Sequence, residues 1–164
     1  MPTENTVFFI VDDEPLFAKM AKEFILSKFP LSTILTYSTG EECLNELKKQ
    51  PSVIILDYKL NTVNPNALNG LEVLKIIKKL KPKIPVIFIS GQDNPEVSAN
   101  TIKYGAYTYI FKNEMAMQKL EIVMINALRK YTLEKKLSSQ KLINTLLIFL
   151  FALLFAGFLF SKVV

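Results

Sequence analysis

Three unbroken apolar runs, Val7–Val11 (VFFIV), Val53–Leu56 (VIIL) and Val86–Ile89 (VIFI), constrain this chain more than any other feature. A strand that is apolar at every position has to be covered on both faces, as happens in a parallel sheet between two helix layers. Thr33–Tyr37 (TILTY) and Tyr107–Phe111 read as two further strands. Helical spacing fills the gaps between the five. It shows in Leu16, Met20, Phe24 and Phe29, then in Leu44 and Leu47 of a helix from Glu41 to Lys49. It continues in Leu71, Leu74, Ile77 and Leu80, in Glu96–Tyr104, and from about Glu114 onward. Strand and helix alternating five times predict an α/β fold: a doubly wound five-stranded parallel sheet with right-handed crossovers. Such a sheet works at the carboxyl ends of its strands.

Four of those ends carry chemistry. The first strand runs into Asp12 and Asp13, with Glu14 next. The third ends in Asp57, the fourth in Ser90-Gly91 and the fifth in Lys112. Carboxylates converging on one crevice make a hard oxygen cage suited to Mg²⁺. A phosphoryl group moving onto a carboxylate needs a divalent cation, a fixed ammonium and a hydroxyl donor around its oxygens. Asp57 is the candidate acceptor, Asp12 and Asp13 the metal ligands, Lys112 the ammonium and Ser90 the hydroxyl. Taken singly the residues have plainer readings: a strand-to-helix turn or N-cap at Asp12-Asp13, with Asp13 able to do both jobs, a solvated Lys112, a simple turn at Ser90-Gly91. Their joint placement favours the chemical reading.

With these residues in view, the stretch 7–130 resembles a response-regulator receiver domain, the phosphoacceptor half of two-component signalling. The motifs that carry the likeness are FFIVDDEP, VIILDY, NGLEVLKIIKKL, IPVIFISG and YGAYTYIFK. The resemblance implies a flavodoxin-like (βα)5 fold with strand order 2-1-3-4-5. It also implies Mg²⁺-dependent phosphoryl transfer to Asp57 from a histidine kinase or phosphotransfer protein, and a Lys59 backbone carbonyl on the metal beside Asp12, Asp13 and Asp57. Ser90 becomes the switch hydroxyl, Tyr109 the rotating switch aromatic and Lys112 the phosphate-binding lysine. Three positions depart from the family pattern. Asn113 replaces the proline after the lysine, where a cis bond would cost about 3 kcal/mol. Thr108 replaces an acidic residue, and the Asn61–Asn69 loop is longer by roughly five residues than the common pattern.

Composition narrows the rest. The chain has no His and a single cysteine, Cys43, so histidine catalysis, His or Cys-cluster metal sites and an internal disulfide are excluded. The net charge of +5 is not spread through the domain. The surplus lies in Arg129, Lys130, Lys135, Lys136, Lys141 and Lys162, opposed by Glu134, so no nucleic-acid-binding face is expected. Met1 to Thr6 lacks the pattern of a signal peptide.

Between Lys141 and Lys162 no residue is charged, and most are Leu, Ile or Phe. Twenty helical residues span about 30 Å, the hydrocarbon thickness of a bilayer. The flanking lysines orient such a helix with the N-terminal domain in the cytoplasm. The expected organisation is a receiver at 1–130, a basic juxtamembrane helical stalk at 131–141, a transmembrane helix at 142–161 and a short tail at 162–164. Heptad-spaced Met117, Leu120, Met124, Ala127 and Tyr131 suggest a seam for a weak homodimer, broken at Glu134 and Ser138.

The reading is a membrane-tethered, single-pass phosphoacceptor response regulator that is not an enzyme in its own right. No output module is expected after residue 130, so the expected output is a protein–protein event near the membrane or phosphate relay. One rival is an unphosphorylated pseudo-receiver scaffold. Another is a Mg²⁺-dependent phosphohydrolase, disfavoured because Lys59 stands where that chemistry places a second aspartate.

Overall fold

The computed structural model describes residues 6–60, 66–91 and 94–161. The strands are β1 Val7–Val11, β2 Thr33–Tyr37, β3 Val53–Asp57, β4 Val86–Ser90 and β5 Thr108–Phe111. The helices are α1 Pro15–Lys28, α2 Gly40–Asn45, α3 Gly70–Leu80, α4 Pro95–Lys103 and α5 Ala116–Ser161. All strand pairs are parallel and the order is β2-β1-β3-β4-β5. The first part of Asn61–Asn69, the Met1 end and Lys162 lie outside the described residues, together with the features expected there.

Alternation along the central strands splits the core in two. Phe8, Ile10, Ile55 and Ile89 face a cluster with Ala21 and Ile25 of α1 and Leu120 and Met124 of α5. Phe9, Val11, Ile54, Leu56 and Phe88 face the other layer, with Cys43, Leu47, Val73, Leu74 and Ile77. Every residue of β3 and β4 is buried, which is why those runs are apolar throughout. The start of α3 is held by a capping box: Asn69 accepts from the backbone of Leu71 and Glu72, and Glu72 returns a bond to Asn69 N–H.

Helical faces differ from expectation in three places. In α1, Leu16 and Met20 are exposed, and Ala18, Ala21 and Ile25 are buried instead. The helix is apolar on two sides, and the small alanines let its backbone lie close on the sheet. The second helix does not reach Lys49. It stops at Asn45 and gives way to a short 3-10 turn, Leu47–Lys49, with Gln50 left-handed (φ 52°) ahead of Pro51. Its inward residues are Cys43 and Leu47, while Leu44 is half-buried. In α3, Leu80 is exposed and Val73 is inward.

The chain divides into two compact units, Met1–Tyr131 and Thr132–Val164. Within the first, Leu120, Met124 and Ala127 are buried against the sheet. The heptad-spaced residues read as a pairing seam are therefore consumed by the domain's own core. In the second unit the described apolar side chains are exposed, Ile148 at 71% and Phe151 at 69% among them.

Candidate functional site

Strand register places the acidic residues level with one another. Val11 pairs with Leu56, so the next residue on each strand, Asp12 and Asp57, stand side by side. Ser90 pairs with Phe111, which puts Lys112 one step beyond, its N–H donating to the Ser90 carbonyl at 2.8 Å. Asp12, Asp57 and Ser90 are buried, whereas Asp13 is half-buried at the rim.

The Lys112 ammonium binds both buried carboxylates, Asp12 Oδ2 at 2.8 Å and Asp57 Oδ2 at 3.2 Å. The other oxygens serve the backbone: Asp12 Oδ1 accepts from Glu14 N–H at 2.9 Å, and Asp57 Oδ1 from Tyr58 N–H at 2.7 Å. The turn into α1 is thus braced by Asp12, and the N-cap residue is Glu14. The Lys112–Asn113 peptide is trans, as is every bond among the described residues. Asn113 has a local job: its side chain accepts from Met115 N–H at 3.0 Å, leading into α5.

The site is electrostatically unbalanced. One ammonium faces Asp12, Asp57 and, at the rim, Asp13 and Glu14, the last 3.9 Å from Lys112 Nζ. Burial and then the Asp12 charge raise the Asp57 carboxyl to about 6, in spite of Lys112. Burial likewise lifts Asp12, against the pull of Lys112. Burial disfavours the lysine's charge, but its bond to Asp12 and the charge of Asp57 outweigh that, and its affinity for its proton rises.

A cleft of about 430 Å³ opens onto this group, lined by Asp13, Glu14, Pro15, Asp57, Lys59, Gly91 and Lys112. One carboxylate oxygen each from Asp12, Asp13 and Asp57 lies within 4.8 Å of the others. That spacing, the all-oxygen donor set and the excess negative charge fit a hydrated divalent cation of the Mg²⁺ type.

A scan against family descriptions matches the response regulator receiver domain over residues 8–126. The chain belongs to the response-regulator receiver family. Among curated proteins it is 32% identical over 133 residues to the nitrogen assimilation regulatory protein NtrX of Azorhizobium caulinodans, covering 80% of this chain and 28% of that one. It is 49% identical over 76 residues to a putative NtrX-like response regulator of Rickettsia typhi, covering 46% and 15%. The receiver therefore spans less than a third of the length of these relatives. Among solved structures, the receiver domain of NtrX from Brucella abortus superposes with a TM-score of 0.66 at 28% identity, covering 74% of this chain and 98% of that one.

The structure brings together six of the seven residues singled out from the receiver's sequence: Asp12, Asp13, Asp57, Lys59, Ser90 and Lys112 all stand at the carboxyl edge. Tyr109 is half-buried within β5, packed on the α3 side of the sheet. Two residues with a part in the site escaped the sequence reading. Phe17 puts its ring 4.1 Å from Lys112 Nζ, and Gly70 approaches the backbone after Asp57, its N–H bonded to the Tyr58 carbonyl at 2.9 Å. The only signal for Phe17 was its position one turn after Asp13.

Proposed function

We propose that this receiver accepts a phosphoryl group on Asp57 and passes the signal on from a membrane surface. The observation that carries it is the buried Asp57 carboxylate held 3.2 Å from the Lys112 ammonium beside two further aspartates. The donor is a histidine kinase or phosphotransfer protein, the partner class that receivers imply. The phosphoryl group leaves a donor imidazole nitrogen and bonds to an Asp57 oxygen facing the cleft.

Each residue has a share in that transfer. Asp12 and Asp13, with Asp57 and the Lys59 backbone carbonyl, would hold Mg²⁺, which when bound draws charge from the phosphoryl oxygens. Lys112 is already in place to pair with the new anion, and its two carboxylate bonds hold it against the Phe17 ring. Ser90, at the end of β4, offers the hydroxyl to a phosphoryl oxygen. Tyr109 on the neighbouring strand reports the change toward α4. The chain's own contribution is positioning and charge, as in other phosphoryl transfers.

The membrane part rests on the second unit. Among the described residues one helix is long and apolar enough to cross a bilayer. The run from Leu142 to Phe160 carries no charge, and Lys135, Lys136 and Lys141 precede it. A single span with the receiver on the cytoplasmic side follows from the positive-inside rule.

Incubation with a small phosphodonor such as acetyl phosphate tests the phosphoacceptor reading. Wild type should incorporate label with Mg²⁺ present, and neither Asp57→Asn nor wild type in excess chelator should. Equal labelling of Asp57→Asn would place the acceptor elsewhere. An unlabelled wild type would favour the scaffold reading.

A further inference from the structure

We propose that the edge of the receiver where its helices end rests on an anionic lipid surface, so that the phosphoacceptor cleft faces away from the membrane. This deepens the tethered reading above and rests on it for the nearness of the lipid.

The charges at the ends of α3 and α4 are sorted between the two edges of the domain, while α2 ends in Glu46, which Lys49 pairs at 2.7 Å. Acidic residues occupy the first turns of α2, α3 and α4: Glu41 and Glu42, Glu72, and Glu96. Basic residues occupy the last turns, with Lys78 and Lys79 in α3 and Lys103 in α4. Helices in this fold run antiparallel to the strands, so their last turns gather where the strands begin. Contacts confirm that placement. Lys78 Nζ donates to the Ile84 carbonyl just before β4, and Lys130 of α5 lies 5.7 Å from the Tyr107 ring just before β5.

Helix dipoles favour this sorting, and they account for the last-turn lysines. They also cover Lys81, the C-cap of α3, but not Lys83, which stands in the turn beyond it. Nor do they account for Leu80, 58% exposed among those lysines, or Tyr104, 40% exposed beside Lys103. The stretches 75–83, 103–107 and 126–131 contain no acidic residue. Exposed cations interleaved with exposed apolar side chains match an anionic headgroup layer, where each lysine multiplies partitioning about fivefold. The first unit ends at Tyr131, next to Lys130, which belongs to this same edge.

The test uses the full chain with a fluorophore on Pro82→Cys, in the basic turn, or on Glu96→Cys, at the acidic edge. Burial pushes the Cys43 thiol up to about 12, so it stays unlabelled. Protein is reconstituted into vesicles carrying a headgroup quencher, either pure phosphatidylcholine or with about 30% phosphatidylserine. With phosphatidylserine, the label at 82 should be quenched several-fold more than the label at 96. High salt, or the triple variant K79E/K81E/K83E, should remove the difference.

Equal quenching at 82 and 96 in phosphatidylserine vesicles overturns the proposal, and flotation with neutral vesicles would then show the tether still intact. Flotation only with anionic vesicles, abolished by the triple variant, supports the lipid-facing edge while removing the transmembrane reading. Energy transfer between labels at 82 on two chains, insensitive to lipid composition and lost in the triple variant, assigns the edge to a second copy and overturns the lipid assignment.

Discussion

Gly70 lies so close to Asp57 that a Cβ at position 70 would overlap the Asp57 carbonyl oxygen and come within 2.9 Å of Tyr58 Cα. The obstacle is backbone, which cannot swing aside as a side chain can. Gly70→Ala should therefore cost about 1–3 kcal/mol of stability. It should also lower phosphoryl uptake, because the displaced segment carries the acceptor. Urea denaturation and acetyl-phosphate labelling of the same preparation check both. An alanine variant as stable and as reactive as wild type would contradict this packing.

Without metal, Asp57 should destabilise the fold at neutral pH. The unfolded chain gives up that proton near pH 3.9, whereas the folded protein holds it to about 6. Between those values the folded state binds more protons, so its stability falls as pH rises; the whole cost is present above about pH 6 and is gone below about pH 4. In chelator at pH 7, Asp57→Asn should be more stable than wild type by on the order of 2–3 kcal/mol. The gain should vanish near pH 4. Denaturant midpoints at the two pH values measure it.

Divalent cation should act on the same imbalance. Adding Mg²⁺ to chelator-treated wild type should raise its unfolding temperature with the logarithm of the ion concentration above its Kd, because the ion binds only the folded carboxylate cluster. Asp12→Asn and Asp13→Asn should each weaken that rise. A rise of equal size in the double variant would mean the ion binds somewhere else.

Lys112→Ala leaves two buried carboxylates facing each other without a cation. Breaking a buried pair in this way costs about 3–5 kcal/mol, and Mg²⁺ should restore part of it. The metal-loaded variant should fold yet show no activation. NMR shifts near Ser90 and Tyr109 on adding beryllofluoride, which stands in for the phosphoryl group, are the readout. An undiminished response would remove Lys112 from its role.

The full chain should stay in membranes through high-salt and carbonate washing, since apolar insertion is not screened by ions. A chain truncated after Gln140 keeps the whole first unit and should remain phosphorylatable while salt releases it from anionic membranes. Release of both proteins alike would show that the apolar segment does not span the bilayer.

The sequence by itself determined the layer architecture and which polar side chains meet at the strand ends. Its apolar runs are long enough to require cover on both faces, and polar side chains directly after such runs have nowhere to go but the carboxyl edge of the sheet. Asp12, Asp57, Ser90 and Lys112 were legible for that reason. The faces of the helices were not. In α1, periodicity pointed to a side with Leu16 and Met20, and packing against the sheet buried Ala18 and Ala21 instead. In α5, spacing could not tell a seam for a partner from a stripe for the domain's own core, and the structure buries Leu120 and Met124 inside. The Lys112 contacts with Phe17 and Asp12, and the approach of Gly70 to Asp57, join residues far apart in the chain. Local pattern carries no record of such distances, because the crossovers and strand register that set them exist only once the sheet has formed.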